Sequence, residues 1–409
     1  MTISLTTAST TPLKQSIIVT GSKSESNRLL LLQALYPQIT IENVSNSDDA
    51  QVMQQGITKS SGVVDIHHAG TAMRFLTAYF ASQEGKEVVL TGSQRMTERP
   101  IKVLVEALNA LGADISYEGT PGFPPLRIKG KKFDKSEVHL PADVSSQYIS
   151  ALLLIAPKLP KGLTLHLVGK ITSVPYIKMT LALLSAIGVQ TDFSGNTITV
   201  APKVVIDACT LVVESDWSSA SYFYSIVALS AVHSSVTISS YKKDSLQGDS
   251  VLASIYRHFG VISSFDGHTL TLTKSAIRPT THLELDLANA PDIAQTIAVT
   301  CFAMGIGCHL TGLHTLKIKE TDRLEALKAE LSKFGAVISV DDKTLTLAAG
   351  TTIKSDVSVA TYNDHRMAMA FAPLALKTSL SIQDAGVVSK SYPDFWTDMK
   401  RVNIAIENT

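Results

Sequence analysis

The sequence has few cysteines, few tryptophans and no excess of charge of either sign. Three of its 409 residues are cysteine, two are tryptophan, and 36 basic residues balance 36 acidic ones. A neutral chain has no general attraction for nucleic acid or for acidic membranes, so neither is expected as a partner. Any anion-binding site must therefore arise from cations that the fold brings together locally.

The cysteine usage argues against a disulfide framework and against a zinc site. Cys209, Cys301 and Cys308 are an odd number, and no Cys-x-x-Cys spacing joins them, so free thiols in a reducing compartment are expected. The first residues lack the basic segment and apolar run of a signal peptide, and the apolar stretches are too short to span a bilayer. We expect a cytoplasmic protein.

Motifs for metals and nucleotide cofactors are missing as well. No His-x-x-x-His or similar spacing joins His67, His68 or His365 to carboxylates, so no metal site is expected. Neither Gly-x-x-x-x-Gly-Lys-Ser nor Gly-x-Gly-x-x-Gly occurs, so no nucleotide cofactor is expected.

Internal repetition is what the sequence does contain. One repeated pattern is an apolar helical segment, a glycine, a β-branched strand, a turn and a second strand. The glycine suits the left-handed conformation that often ends a helix, here before a hairpin. The turns at Ser194-Gly195-Asn196 and Asp266-Gly267 fit β-hairpins. The four glycines, spaced 72 to 76 residues apart, are Gly112, Gly188, Gly260 and Gly335.

A second repeated element is a polar cluster followed by an almost wholly apolar helix. A helix that is apolar on all sides is buried, so its polar N-terminus must face something other than the core. The polar anchors, spaced 73 to 75 residues apart, are Thr71, Ser146, Ser219, Asp292 and His365.

The repeats predict an α/β fold of two domains, since 409 residues exceed what one core usually supports. Six units are implied, three in each domain. The first is short, because Ser24 and Thr71 are only 47 positions apart, and it lacks the hairpin. We place the domain crossings near Thr20 and Glu214, which gives one domain of residues 1–20 plus 214–409 and one of residues 21–213.

Cations cluster at the starts of these helices, where helix dipoles favour phosphate and carboxylate ligands. Any one of them alone is better explained as a surface charge, but eight at such positions favour an anion site. Two carboxylates stand beside them, Asp292 and Glu320, and each could also be a helix cap or a first-turn acid. The cations are Lys23, Arg28, Arg74, Arg95, Lys319, Arg323, Arg366 and Lys390.

Eight short blocks, in chain order, resemble the 5-enolpyruvylshikimate-3-phosphate synthase family. They are GSKSESNR at 21–28, AGTAMR at 69–74, RMTERP at 95–100, SSQ at 145–147, SVPY at 173–176, KETDR at 319–323, NDHR at 363–366 and KSYPD at 390–394.

The resemblance implies a two-domain inverse α/β barrel, each domain built from three repeated units of sheet and buried helices, with the active site in the cleft between the domains. It implies transfer of the enolpyruvyl group of phosphoenolpyruvate to the 5-hydroxyl of shikimate 3-phosphate, with release of phosphate, in the biosynthesis of chorismate and the aromatic amino acids. It implies no cofactor, and we expect a monomer.

The resemblance also assigns residues, beginning with Lys23, Asp292 and Glu320 for proton transfer. Shikimate 3-phosphate is expected to contact Lys23, Ser24, Arg28, Ser145, Ser146, Gln147, Ser173, Tyr176, Asp292 and Lys319. Phosphoenolpyruvate is expected to contact Lys23, Gly70, Arg95, Gln147, Arg323, Arg366 and Lys390. Three positions depart from the family pattern, where His68 replaces Asn, Phe75 replaces Pro and Thr315 replaces a frequent Asn.

Two other functions stay open at this point. An enolpyruvyl transferase acting on UDP-N-acetylglucosamine shares the fold, but it typically carries Gly-x-Lys-Asn where this chain has Gly21-Ser22-Lys23-Ser24, and a cysteine that the Gln94–Pro100 segment lacks. A non-enzymatic phosphate- or RNA-binding module is the other alternative. The presence of Lys23, Asp292 and Glu320 together argues against a protein without catalytic activity, and the lack of interleaved aromatic and basic residues argues against RNA binding.

Overall fold

The computed structural model describes residues 1–9, 11–142, 145–169, 171, 173–276, 280–350 and 352–408. They form two compact units, which we call the terminal unit, Met1–Thr20 with Glu214–Thr409, and the central unit, Gly21–Val213. Each unit has its own cluster of buried apolar side chains.

Most strands are three to six residues long. They are β1 Ile3–Thr7, β2 Lys14–Ile17, β3 Ile39–Glu42, β4 Ser61–Asp65, β5 Glu87–Thr91, β6 Asp114–Tyr117, β7 Leu126–Lys129, β8 Glu137–Pro141, β9 Leu163–Val168, β10 Thr191–Ser194, β11 Thr197–Val200, β12 Cys209–Val212, β13 Ser235–Ile238, β14 Val261–Asp266, β15 Thr269–Lys274, β16 His282–Asp286, β17 Gly307–Thr311, β18 Ile338–Val340, β19 Leu345–Leu347, β20 Val357–Val359, β21 Leu380–Ile382 and β22 Ile404–Asn408.

The helices lie between these strands. They are α1 Lys23–Leu35, α2 Asp48–Ile57, α3 Gly70–Ala81, α4 Gln94–Thr97, α5 Lys102–Leu111, α6 Ser146–Ile155, α7 Val174–Ala186, α8 Trp217–Leu229, α9 Leu252–Ile255, α10 Ala294–Ala303, α11 Arg323–Lys333, α12 His365–Phe371 and α13 Phe395–Arg401.

One sheet plan recurs in both units. In the central unit the strand orders are β4-β5-β7-β6 and β8-β9-β11-β10. The first two strands of each sheet are parallel, and the chain crosses between them through one helix, α3 or α6. The other two strands of each sheet form an antiparallel hairpin, β6–β7 or β10–β11. The second strand of the hairpin, β7 or β11, also pairs antiparallel with β5 or β9.

The third sheet of the central unit lacks this hairpin. It consists of β3 and β12 only, in parallel register. The short first repeat predicted from the sequence is therefore confirmed as a sheet without its two hairpin strands.

The terminal unit has three sheets of the same arrangement, with strand orders β16-β17-β19-β18, β2-β13-β15-β14 and β20-β21-β1-β22. In the second of these, β2 and β13 are parallel, but the whole central unit lies between them in the chain. In the last of these, β1 and β22 stand where the other sheets have a hairpin, and β1 pairs antiparallel with both β21 and β22. The α/β fold predicted from the sequence is confirmed.

The apolar helices are buried, as their composition predicted. Every residue of α3, α8 and α10 is buried. Removing a large apolar side chain from water contributes roughly 1.5–3 kcal/mol, so these helices supply much of each core. No helix in the described part of the chain is long and apolar enough to cross a membrane.

The glycines of the repeat adopt the left-handed conformation that the pattern predicted. Their φ angles are 111° at Gly112, 76° at Gly188, 76° at Gly260 and 100° at Gly335. Side chains disfavour this region, so glycine ends each helix and turns the chain into the hairpin strand.

Candidate active site

In the central unit, the predicted residues lie at the starts of four helices. Lys23 is the first residue of α1, Gly70 of α3 and Ser146 of α6, while Ser173 precedes α7. The first backbone N–H groups of a helix lack intrahelical partners and lie at the positive end of its dipole. These positions are suited to binding anions.

Arg28 connects α1 with its neighbours. It is 2% exposed and donates from Nε to Thr180 Oγ1 at 2.8 Å, from Nη1 to Ser24 O at 2.7 Å and from Nη2 to Ser150 Oγ at 3.0 Å. Its guanidinium also stacks 5.4 Å from the centre of the Phe75 ring. Burial lowers the pKa of Arg28 to about 10, so the group stays charged at neutral pH.

The Phe75 contact explains one departure from the family pattern. The ring at this position is fully buried and packs against the guanidinium of Arg28, and such a contact favours the cation. Phenylalanine therefore adds an interaction with a predicted site residue that proline at this position could not make.

The starts of α3 and α6 are joined through Gln147. Its Nε2 donates to Thr71 Oγ1 at 3.2 Å, and its backbone N–H is capped by Ser145 Oγ at 3.3 Å. Ser145 thus satisfies one unpaired N–H group of α6, while Gln147 fixes the relative position of two helix starts.

Lys23 is held by a carboxylate that the sequence analysis did not select. Its Nζ lies 3.4 Å from Asp49 Oδ2, and both side chains are largely buried. Asp49 lies in the first turn of α2. The pair places one positive charge at the start of α1 in a defined position.

Two arginines with different surroundings occur in the segment formed by α4 and the residues just after it, Arg95 in α4 and Arg99 beyond its end. Arg95 is exposed and donates to Glu98 Oε2 at 3.1 Å. Arg99, which the sequence analysis did not select, lies against Gly70, since a Cβ atom built on Gly70 would be 2.5 Å from Arg99 Nη1. Arg99 is therefore the arginine of this segment that reaches the start of α3.

In the terminal unit, Arg323 gathers three carboxylates. It is 1% exposed and donates from Nη1 to Asp292 Oδ1 at 2.9 Å, from Nη2 to Glu320 Oε2 at 2.8 Å and from Nε to Asp364 Oδ2 at 2.6 Å. Burial opposes its charge, but the three carboxylates hold the pKa of Arg323 above its ordinary value.

Asp292 lies just before α10 and is surrounded by cations. Its carboxylate is 2.9 Å from Arg323, 3.3 Å from Arg366 Nη2 and 3.6 Å from Lys319 Nζ. Burial would raise the pKa of Asp292, but these cations outweigh it and hold the pKa well below its usual range. The side chain is thus an ionised hydrogen-bond acceptor, and no capping bond to α10 explains its position.

Glu320 stands outside the helix that follows it. The cap of α11 is Asp322, whose carboxylate accepts from the N–H groups of Leu324 and Glu325. Glu320 therefore does not act as the first-turn acid that its sequence position allowed. Its side chain is 24% exposed, so a ligand can reach it while Arg323 orients it.

Arg366 and Lys390 complete this group of cations. The backbone N–H of Arg366 is capped by Asp364, and its Nη2 donates to Ser218 Oγ at 3.2 Å. Lys390 Nζ donates to the carbonyl oxygen of Asn363 at 2.7 Å, directly before α12.

Asp249 is a buried carboxylate that the sequence analysis missed. It accepts a hydrogen bond from Ser218 Oγ, while its Oδ1 is buried and accepts none from the described residues. Burial, together with the negative charge of Asp292, raises the pKa of Asp249 to about 7. Ser218 links Asp249 to Arg366, which also contacts Asp292.

Comparison with known proteins identifies the family to which the chain belongs. Residues 51–399 match the family described as EPSP synthase (3-phosphoshikimate 1-carboxyvinyltransferase). The 3-phosphoshikimate 1-carboxyvinyltransferase of Bacteroides fragilis strain YCH46 is 42% identical over 97% of each chain. That of Photobacterium damsela subsp. piscicida is 35% identical over 94% of this chain and 95% of its own.

A solved structure of EPSP synthase from Acinetobacter baumannii has the same fold. It aligns over 100% of both chains with a TM-score of 0.80, at 19% sequence identity. Each α/β unit carries cations and carboxylates at its helix starts, and the matched family places the chain among transferases. The chain belongs to the EPSP synthase (3-phosphoshikimate 1-carboxyvinyltransferase) family.

Proposed function

We propose that this chain transfers the enolpyruvyl group of phosphoenolpyruvate to the 5-hydroxyl of shikimate 3-phosphate and releases phosphate, in chorismate and aromatic amino acid biosynthesis. The observation that carries the proposal is the 42% identity, over nearly the whole chain, to a 3-phosphoshikimate 1-carboxyvinyltransferase. The cations around Asp292 in the terminal unit support it, and so does the position of Lys23 at the start of α1 in the central unit.

Shikimate 3-phosphate is bound by the helix starts of the central unit together with Asp292 and Lys319. Phosphate suits N–H groups and hydroxyls at a helix start, and the central unit offers Ser145, Ser146 and Gln147 on α6. Ser173 and Tyr176 offer hydroxyl groups at the start of α7. Lys23, Ser24 and Arg28 on α1 complete the proposed contacts of the central unit.

Phosphoenolpyruvate is bound by Arg323, Arg366 and Lys390 of the terminal unit and by Lys23, Gly70, Arg95 and Gln147 of the central unit. Its phosphate and carboxylate suit guanidinium groups, which bind such anions through two parallel hydrogen bonds. The position of Arg99 against Gly70 adds this arginine to the proposed set.

The chemistry requires an acid at carbon and an acceptor at oxygen. The 5-hydroxyl oxygen bonds to C2 of phosphoenolpyruvate while C3 gains a proton. The C2–O bond to phosphate then breaks, phosphate leaves and C3 loses a proton.

We assign Glu320 to the C3 proton and Asp292 to the hydroxyl. The low pKa of Asp292 makes it an acceptor that orients the hydroxyl and takes its proton once the new C2–O bond has made that hydroxyl acidic. Lys23 stabilises the leaving phosphate and shares in proton transfer.

The remaining features of the proposal concern the state of the protein. The described cysteines are free, which supports a cytoplasmic enzyme. The balance of 36 basic and 36 acidic residues supports small-molecule substrates rather than nucleic acid or membranes. We propose a monomer.

Release of phosphate from phosphoenolpyruvate, measured with a coupled assay, tests the function. Phosphate should appear with shikimate 3-phosphate as the acceptor and stay at background with UDP-N-acetylglucosamine. Turnover with only the second acceptor would assign the other enolpyruvyl transfer, and absence of turnover with both would favour a binding module.

A further inference from the structure

Two histidines and a glutamate lie together on the exposed face of a sheet in the central unit, on strands that the proposed function does not use. Glu137 and His139 are on β8, and His166 is on β9. Side chains alternate along a strand, so these three point away from the core that the buried Val138 and Leu140 join.

The strand register brings the three side chains to one place. His139 and His166 are direct partners in the parallel β8–β9 pair, and their rings stack with centroids 4.7 Å apart. Glu137 lies two residues before His139 and spans the diagonal, with Oε1 2.8 Å from His166 Nε2. The possible ligand atoms of all three lie within 4.8 Å of one another.

The orientation of His166 is fixed from its other side. Its Nδ1 lies 3.3 Å from Oγ1 of Thr197, which is its direct partner on β11. A hydrogen bond at one ring nitrogen sets the direction of the other, and metal-binding histidines usually carry such a bond. Thr197 thus aims Nε2 of His166 toward the carboxylate of Glu137.

We propose that Glu137, His139 and His166 bind a divalent transition-metal ion, with zinc as the expected occupant, which ties edge strand β8 to β9. Zinc accepts two imidazole nitrogens and a carboxylate at about 2.0–2.2 Å and leaves a fourth position for water. Such a donor set prefers zinc, cobalt, nickel or copper to magnesium. These side chains face outward and their ligand atoms lie within 4.8 Å of one another, so rotation about side-chain bonds can bring the atoms to one centre.

The terminal unit contains the same residue types in a different order. His282 and Glu284 lie on β16, and Glu284, rather than a histidine, is the direct partner of His309 on β17. The imidazoles of His282 and His309 are therefore in diagonal rather than directly opposite positions. Diagonal positions are farther apart, and a histidine side chain spans that distance less readily than a glutamate side chain. Among the described residues, three such ligand atoms converge within 4.8 Å at β8–β9 alone.

Binding of cobalt and zinc to the untagged, metal-stripped full chain, in buffer without phosphate, tests the proposal. Cobalt should bind one to one, with a visible absorption band that zinc abolishes and millimolar magnesium leaves unchanged. His139→Ala, His166→Ala and Glu137→Gln should each weaken cobalt binding by more than about tenfold, since outer partners of metal ligands alone are worth about 10–100-fold. His309→Ala should bind cobalt like the wild-type chain.

Thermal unfolding separates metal binding from a structural role of the cluster. A ligand that binds only the folded state raises the melting temperature, so zinc should raise it for the wild-type chain and for His309→Ala, and leave it unchanged for His166→Gln. Glutamine keeps a hydrogen bond to Glu137, so the metal-free melting temperature of His166→Gln should match the wild type. Equal cobalt affinity in all variants, or no cobalt band in the wild-type chain, would overturn the proposal.

Discussion

At the scale of single residues, the terminal unit's part of the site is organised by one buried arginine and the three carboxyl groups that it contacts. Arg323 contacts Asp292, Glu320 and Asp364, and the charges offset part of the cost of burying each group. Because the guanidinium of Arg323 donates a hydrogen bond to each of the three carboxyl groups, each of them has a defined orientation. Arg323 thus holds Asp292 and Glu320, two of the proposed proton-transfer residues, in defined positions.

Replacing Glu320 by glutamine tests its role at C3. Glutamine still accepts the hydrogen bond from Arg323 but supplies no proton, so turnover should fall by about 10²–10⁴ with Michaelis constants nearly unchanged. Steady-state kinetics measure this. The matched control is Glu325→Gln on α11, which is exposed and pairs only at the surface with Lys328. Wild-type turnover in Glu320→Gln would make Lys23 the preferred acid.

Gly70→Ala tests the placement of phosphoenolpyruvate. The added Cβ would meet Arg99 Nη1 at 2.5 Å, so the guanidinium must move away from the start of α3. We expect the Michaelis constant for phosphoenolpyruvate to rise more than that for shikimate 3-phosphate. Gly350→Ala is the control, because a Cβ there meets open space. Equal increases in both constants would count against the placement.

The raised pKa of Asp249 predicts a pH-dependent contribution to stability. Its ordinary pKa of 3.8 rises to about 7 in the folded chain, so between about pH 4 and 7 the unfolded chain loses this proton first. Stability from this group therefore decreases as pH rises through that window. Charges facing Asp249 include Asp292, Asp216 and Arg366.

Asp249→Asn removes that titration. The free energy of unfolding, measured in urea from pH 4 to 7, should fall less steeply with pH in the variant than in the wild-type chain. Since one pKa unit corresponds to about 1.4 kcal/mol, the difference should accumulate to more than about 1 kcal/mol by pH 7. Identical slopes would mean that Asp249 is ionised in the folded chain throughout this range.

At the scale of elements, the repeat was visible in the sequence because each unit uses the same local signals. Glycine marks the end of a helix, and an apolar run marks a buried one. These signals are local, so they predicted the left-handed glycines, the hairpin at Gly195 and the missing hairpin of the first repeat, which the structure confirms.

Contacts between elements were the part that sequence reasoning missed. Asp249 is 31 residues from Ser218, and Arg99 reaches Gly70 from the loop between α4 and α5. The imidazole pair of His139 and His166 depends on strand register. No fixed spacing encodes such pairings, because they are set by how strands and helices pack after the local structure has formed.

Gly335→Ala tests the helix-ending role of the repeated glycine. The position has φ 100°, and a Cβ there makes only ordinary contacts, the nearest at 3.7 Å from Thr352 O. The cost should thus come from the backbone, about 1–2 kcal/mol in the free energy of unfolding. Urea unfolding measures it, with Gly350→Ala as the unstrained control. A neutral effect would show that the left-handed residue is not required there.

At the scale of the whole molecule, the chain is neutral, and its charges are concentrated by the fold. Three sheets lie in each of the two units, with Lys23 in the central unit and Arg323, Arg366 and Lys390 in the terminal unit. The fold thereby gathers cations at helix starts, which suit anions, although the overall charge is zero. We propose that both sets of cations serve one reaction.

Solvent deuterium tests this account most directly. The wild-type chain is incubated with shikimate 3-phosphate and phosphoenolpyruvate in D2O, and the product is analysed by mass spectrometry alongside the phosphate released. Addition followed by elimination passes through a methyl group at C3, so the enolpyruvyl product should carry deuterium at C3, with one phosphate released for each product molecule. Product without deuterium, or phosphate released without product, would contradict the account.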